Sequence, residues 1–490
     1  MTHPVVARLR AAWARPRPDT WAATVTLLAG GVALLVAMGI HQASPLAAFH
    51  GWLIAAVVAI VGALLLPRGA TTPAGAARAE RATRLLLGTA LGVSAAVAIA
   101  GLLARVAAGG SPTIPALGAG LALVALGGLA DRPALGRLHV PVLLGIFVAL
   151  GVAVIWTFRS PPIDVWVFQH DAPLRLLAGG NPWAMDFPNI YTDDRYYGAG
   201  VVVDGRLTFG YPYPPLSLLA VTPATALDGD PRWAHLVALA GAAACIAWSR
   251  PGPRARGAAG LLLAGPSIPF LLTYAWTEPL SAFLLEATVA AAIRAPRLLG
   301  LALGCLVVSK QYLVAIVPLA LLLLRPGADR SAVLRLGGVA GVTALLLTVP
   351  FALWDLAPFL HAVVALQGIQ PARADSLGLG PWLAQAAGGT APGWIPFAVA
   401  GVVVLLCLWR APRTPAGFAM ATAAVLVVFF ALAKQAFQNY YLVPFAAILV
   451  AVAAAAPPLR ATAEAEVDAA AETDTPDAGA GGPDTRVPAL

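Results

Sequence analysis

Six carboxylates, Asp164, Asp171, Asp186, Asp193, Asp194 and Asp204, fall between Pro161 and Pro215 together with ten aromatic side chains. A carboxylate at a wet surface can take a proton from a hydroxyl, so a loop of this kind can activate a nucleophile. The chain has two lysines, Lys310 and Lys434, each followed within three residues by Gln and an aromatic. With Arg373 they can hold an anion such as a lipid phosphate, or they can snorkel to a membrane interface. Asp164 follows Ser160-Pro161-Pro162, which predicts a helix start with Ser160 as N-cap and Asp164 in the first turn. Its carboxylate can act as a base or merely complement the helix dipole. Asp171-Ala172-Pro173 predicts the N-cap of a separate short helix ending at Gly179-Gly180, a structural role first and a catalytic one second. The adjacent pair Asp193-Asp194 is weak evidence for a metal, and no zinc, phosphate-loop or nucleophile-elbow motif occurs in a supporting context. Glu286, inside an apolar run, can carry a proton or pair with a neighbouring helix, the latter being the simpler expectation. The aromatic side chains can stack on sugar rings or form a small core of their own, and composition does not separate these.

The elements that must position these groups are membrane spans. Of 490 residues, 59% are hydrophobic and 11% charged, with a mean hydropathy of +0.80, a composition that excludes a soluble domain. Arginine far outnumbers lysine, and Ala, Gly and Pro abound, which points to a GC-rich bacterial source. Cys245, Cys305 and Cys407 sit in apolar runs and read as packing residues. The net charge of +8 is spread over loop arginines, which argues for membrane topology and against nucleic acid. Arg8, Arg10, Arg15 and Arg17 place the N-terminus in the cytoplasm. Spans are expected at 21–40, 52–66, 85–107, 113–130 and 139–157, with Arg68, Arg78, Arg81 and Arg84 in a cytoplasmic loop, so that the carboxylate-rich loop emerges outside. Beyond it, 214–227 reads as a re-entrant or interfacial piece, and 233–248, 257–275 and 280–293 as spans. Lys310 breaks the run 298–324 into two short helices near the outer face. Spans at 336–353, 393–409, 416–434 and 437–456 follow, for about 14 crossings in all. Residues 457–490, poor in large apolar groups, are expected to form a disordered tail. No internal repeat is evident.

Asp164 just outside a span, then LLAGGNPW, then FGYPYPPLSLL resembles the first outer loop of GT-C glycosyltransferases, closest to the bacterial polyprenol-phosphate-mannose-dependent type, glycosyltransferase family 87. LVVSKQYLVAIVPLALLL, PARADSLGL and KQAFQNYYLVPFAAIL are similar to later segments of such proteins, so the resemblance covers about 139–456. It implies a GT-C-like bundle in which Asp164 is the general base on an acceptor hydroxyl. It also implies a polyprenyl-phosphate sugar donor, an inverting reaction, and no cofactor, with a divalent metal left open. Two features depart from the family pattern. Four spans precede the Asp here, and Val167 or Phe168 stands where such enzymes usually carry Tyr.

The resulting expectation is an all-α polytopic membrane protein in the cell membrane, with cytoplasmic termini and an extracytoplasmic active site. Its parts are a basic segment 1–20, a four-helix extension 21–138, a catalytic domain 139–456 with outer loops 158–213 and 354–392, and an acidic tail 457–490. The expected function is transfer of mannose or another hexose or pentose from a polyprenyl-phosphate donor to a cell-envelope glycan or glycolipid. Asp164 is the catalytic residue, with Asp171 and Glu278 as second carboxylates and Lys310, Arg373 and Lys434 as phosphate ligands. Gln169, His170, Tyr312, Asn439 and Tyr440 line the substrate cavity. The alternative is a transporter or lipid flippase coupled through Glu286 and Lys310, and a third reading is a non-catalytic envelope scaffold.

Overall fold

The computed structural model describes residues 21–40, 46–66, 73–130, 133–191, 196–373, 375–389 and 392–455. The basic N-terminal segment, the acidic tail and the Asp193-Asp194 pair lie outside the described residues. Among the described residues six helices are long and apolar enough to cross a membrane, and six shorter apolar helices of 10–17 residues accompany them. The chain is an all-α polytopic membrane protein, as its hydropathy leads one to expect. The only strands among the described residues are three two-residue pieces in the stretch 158–213, in the order β1-β3-β2: β1 Phe187–Pro188, β2 Val202–Val203 and β3 Arg206–Leu207. Asp204 and Gly205, both at positive φ, make the two-residue turn that joins β2 to β3, as Asp-Gly does in hairpins.

The first helices are Trp21–Ile40, Leu46–Leu65, Pro73–Ala107, Thr113–Gly127 and Pro133–Thr157. The third begins well before the expected 85, so Arg78, Arg81 and Arg84 lie on a helix and not in a loop. Ala, Arg and Glu are good helix formers, and Arg84 pairs with Glu80 one turn away at 2.9 Å. These helices share one hydrophobic core with the last two, Pro415–Leu432 and Leu442–Ala454. Gln438 Nε2 donates to Met38 O at 2.8 Å, and Phe49 meets Tyr441 edge-on at 5.7 Å.

Two expected spans are interrupted. Residues 257–275 divide into helices Pro253–Leu263 and Ile268–Thr273, because Pro266 lacks the amide hydrogen that a continuous helix requires. The run 298–324 breaks as expected ahead of Lys310, after helix Leu299–Val307, but its second half, Gln311–Leu323, is a 3₁₀-helix. Its buried side chains are Leu313, Ile316, Leu319 and Leu322. That spacing of three is the 3₁₀ repeat, which keeps every third side chain on one face. The stretch 354–392 is not an open loop. It holds the helix Leu356–Ile369, with a wide π-turn at His361–Ala365, and the helix Leu379–Ala386.

Arginines close one end of the bundle. Arg250 and Arg254 donate to the carbonyls of Ala454 and Ala455, Arg256 to Gly128, Arg294 to Ser249 and Arg410 to Leu65. Each satisfies a carbonyl that has no helical partner at a helix C-terminus. Arg254 also reaches Glu80 at 3.1 Å. The opposite end has its own clamp, Arg232, fully buried and paired with Asp230 at 2.6 Å. It donates to Phe158 O at 2.7 Å and Ile155 O at 3.1 Å, at the end of the helix that leads into the outer loop. Arg232→Ala is expected to cost about 3 kcal/mol or more, since it strands these carbonyls and the Asp230 carboxylate. Denaturant unfolding in detergent checks this, and an unchanged midpoint would refute it.

Candidate active site

The stretch 158–213 builds a small core before it builds a site. Phe168, Trp183, Phe187, Tyr197, Phe209 and Tyr211 are buried against one another, with Phe168 and Phe187 edge-to-face at 4.8 Å. Composition left open whether these rings wait for sugars or pack together, and most of them pack. The scaffold fixes the helix Asp164–Leu177, which lies between the span ending at Thr157 and the hairpin. Asp164 is in its first turn, as expected. The N-cap, however, is Ile163, without a side-chain cap, and Ser160 stands apart at φ +48°. Asp164 fills the gap itself, its Oδ1 accepting from the Val165 N–H at 2.8 Å.

Asp171 does not cap a second helix. It lies in mid-helix, with Pro173 inside the same helix. Proline there frees the carbonyl of Gln169, which would otherwise accept from residue 173, and Thr225 Oγ1 reaches that carbonyl at 3.5 Å. Tertiary contact thus sustains a helix that local pattern breaks. The Asp171 carboxylate is held by His170 Nδ1 at 2.7 Å, both partly exposed, and His170 stacks on Trp166 at 4.7 Å. Gln169 is wholly buried. Its Nε2 donates to Ala275 O and its Oε1 meets His235 Nε2 at 2.6 Å, which fastens the loop helix to the bundle. Gln169, His170 and Asp171 therefore engage groups other than those around Asp164.

Around Asp164 the sequence-distant pieces converge. Tyr197 donates its hydroxyl to Oδ2 at 2.7 Å, and Tyr191 donates to Oδ1 at 3.2 Å while accepting from the Asp164 N–H at 3.3 Å. Burial pushes the Asp164 carboxyl above the usual carboxylate range, while Tyr197, the Val165 N–H, Tyr191 and the Arg373 charge pull it down. The Arg373 guanidinium lies between the faces of Tyr196 and Phe437, 4.7 and 4.5 Å from their centroids, and pairs with Asp375 at 2.5 Å. Phe437 and Tyr440, with ring centroids 6.4 Å apart, link this cluster to a second one.

In that second cluster Lys310 Nζ sits 4.1 Å from the Tyr213 ring centroid, donates to Thr277 Oγ1 and pairs with Glu278 at 3.1 Å. Asn439 Nδ2 donates to the other Glu278 oxygen at 2.7 Å, and Tyr312 and Tyr440 lie 5.9 Å apart beside it. Gln311 Nε2 ties the segment to Pro212 O at 2.7 Å. Lys434 points elsewhere, its ammonium donating to the carbonyls of Gly368 and Gln370 at 2.9 and 2.5 Å. Among the described residues Glu286 pairs with no neighbouring helix. It is fully buried, with neither carboxylate oxygen hydrogen-bonded. Among the described residues no three His, Cys, Asp or Glu side chains gather as metal ligands.

No family model matches the chain, and no curated protein does. Among solved structures it is similar to the crystal structure of ArnT from Cupriavidus metallidurans bound to undecaprenyl phosphate. The identity is 19% and the TM-score 0.39, over 63% of this chain and 59% of that one. The chain therefore spans less than two thirds of that protein's length.

Sequence reasoning missed Tyr191 and Tyr197 as partners of Asp164. They lie 27 and 33 residues from it, and nothing in the local pattern sets them apart from the tyrosines that only pack. Tyr213 and Phe437, which present ring faces to Lys310 and Arg373, were missed for the same reason.

Proposed function

We propose that this protein is a membrane glycosyltransferase that moves a sugar from a polyprenyl-phosphate donor to a hydroxyl of an envelope glycan or glycolipid. The observation that carries the reading is the carboxylate of Asp164, held by the hydroxyls of two tyrosines within reach of the Arg373 charge. In the reaction the acceptor oxygen bonds to the anomeric carbon as the bond from that carbon to the phosphate oxygen breaks. The electron pair leaves with the phosphate, and the hydroxyl proton passes to Asp164. Attack opposite the leaving group inverts the anomeric centre. Arg373 and Lys310 stabilise the charge that develops on the phosphate. Lys434, occupied by two carbonyls, serves better to hold the 366–370 segment beneath Arg373. The reading of mannose, or another hexose or pentose, rests on the resemblance of the loop motifs alone.

The placement of the site outside the cytoplasm is part of the proposal, and helix polarity supports it. Helix Glu278–Arg294 carries Glu278 at one end and Arg294 at the other, about 25 Å apart at 1.5 Å per residue. The arginine clamps gather at the Arg294 end, where the positive-inside rule puts the cytoplasm.

The test is transfer from radiolabelled polyprenyl-phosphate mannose, and from related sugars, in membranes with and without the protein. Label is expected to move to a glycan or glycolipid fraction only when the protein is present. Arg373→Ala is expected to raise the apparent donor KM about tenfold or more, the loss of a charge-assisted contact. Transfer from no polyprenyl-phosphate sugar would refute the reading, and an unchanged donor KM would remove Arg373 from the phosphate. The unpartnered carboxyl of Glu286 is the one observation that favours a transporter or flippase. Glu286→Gln is expected to leave sugar transfer intact, and its abolition would revive that reading.

A further inference from the structure

The contacts at Asp164 distinguish its two carboxylate oxygens. An ionised carboxylate offers about four lone-pair positions. Oδ1 accepts from the Val165 N–H at 2.8 Å and from the Tyr191 hydroxyl at 3.2 Å, and so uses both of its own. Oδ2 accepts from the Tyr197 hydroxyl alone, at 2.7 Å, and no other described residue donates to it. Tyr191 also accepts from the Asp164 N–H at 3.3 Å, bridging backbone and side chain of one residue, so the carboxylate cannot turn about its Cβ–Cγ bond without breaking contacts on both sides.

We infer that Tyr191 and Tyr197 are positioning residues that hold the Asp164 carboxylate in one orientation and leave Oδ2 as the oxygen that takes up the proton. The inference rests on the reading of Asp164 as the base and adds which atom acts and what aims it. Both tyrosines are themselves suited to remain protonated donors, because burial and the Asp164 charge raise their hydroxyls far above neutrality. The other titratable or charged groups whose electrostatics couple to Asp164 are Arg373, from the segment before Asp375, and Tyr213 and Tyr440. None of these three donates to the carboxylate, so among the described residues the two hydroxyls are the side-chain groups that set its orientation, with the Val165 N–H as the backbone contact.

The consequence is a graded effect on ionisation. A hydroxyl donated to a carboxylate stabilises the charged form, and hydrogen bonds to charged groups contribute more than neutral ones. Tyr197, at the shorter distance and alone on its oxygen, should matter more than Tyr191, whose oxygen keeps the Val165 N–H.

The experiment is infrared difference spectroscopy of the full-length protein in detergent across pH. The C=O stretch of protonated Asp164 is the band that Asp164→Asn removes. In Tyr197→Phe its titration midpoint is expected to rise by about one to two pH units, the loss of one hydrogen bond to a charged group. In Tyr191→Phe the rise should be smaller. Phenylalanine keeps the ring that packs against Phe209, and the thermal midpoint checks that the fold survives. Should Tyr197→Phe not fold, the Tyr191→Phe midpoint alone decides. A midpoint that stays at the wild-type value in the folded variants overturns the inference. The pH profile of sugar transfer is a separate arm. Its acid limb should move upward with the midpoint in Tyr197→Phe. A moving midpoint with a stationary acid limb would support the two-tyrosine hold and remove Asp164 as the base.

Discussion

Asp164→Asn is expected to reduce sugar transfer by about 10²- to 10⁴-fold, the usual contribution of a positioned general base, with the apparent donor KM changed by less than about threefold. The substitution keeps the shape of the side chain, and the amide oxygen can still accept from the Val165 N–H that Oδ1 now serves. What disappears is the lone pair that receives a proton. Because the base must be ionised, transfer by the wild type should rise with pH through the Asp164 midpoint. Burial places that midpoint above the ordinary carboxylate value, so the acid limb should lie higher than for a solvated aspartate. Asp171→Asn is the internal comparison. Its carboxylate sits at the surface against His170, and its loss is expected to change transfer by less than about twofold, a surface change of a few tenths of a kcal/mol. Initial rates with purified donor decide the matter. Full activity in Asp164→Asn would sink the base assignment, and a large loss in Asp171→Asn would move it there.

The second large effect is on stability and has the opposite of simple additivity. Lys310→Met is expected to destabilise the protein by about 3–5 kcal/mol, because it leaves the Glu278 charge buried with only Asn439 donating to it. The double variant Lys310→Met, Glu278→Gln should recover most of that loss, since a neutral amide can still accept from Asn439 and no uncompensated charge remains. A buried ion pair is costly to break and cheap to replace as a whole. Equilibrium unfolding in a single detergent, for the two single variants and the double, gives the coupling directly. Equal losses in Lys310→Met and the double would mean that Lys310 stabilises through its contact with Tyr213 and not through Glu278. The same pair bears on catalysis. A donor phosphate that engages Lys310 must compete with Glu278, so the double variant should remain folded yet bind donor more weakly.

Much of this arrangement was legible before any coordinates. Hydropathy located the helices because a span must bury its backbone hydrogen bonds internally and carry an apolar surface. Lys310, Glu278 and Asn439 meet one another, in keeping with the idea that polar residues at helix ends collect at one side of a bundle. The illegible parts depended on partners far along the chain. Glu80 finds Arg254 across 174 residues, and that contact anchors the second turn of a helix that begins twelve residues before the expected 85. Pro173 reads as a helix start in any local window, and only Thr225, from the next helix, makes it tolerable inside one. The pairing expected of Glu286 failed because a lone carboxyl in an apolar helix carries no mark of what faces it.

The 3₁₀ segment also changes a length. Thirteen residues from Gln311 to Leu323 would rise about 20 Å as an α-helix, well short of a hydrocarbon layer about 30 Å thick. At about 2.0 Å per residue the tighter coil stretches them to about 26 Å. A piece of chain too short to be a span by residue count can thus reach nearly from one headgroup layer to the other. With Lys310 at its head and Arg325 just past its foot, it acts as a strut whose extension, more than its composition, fixes the depth at which the lysine is presented.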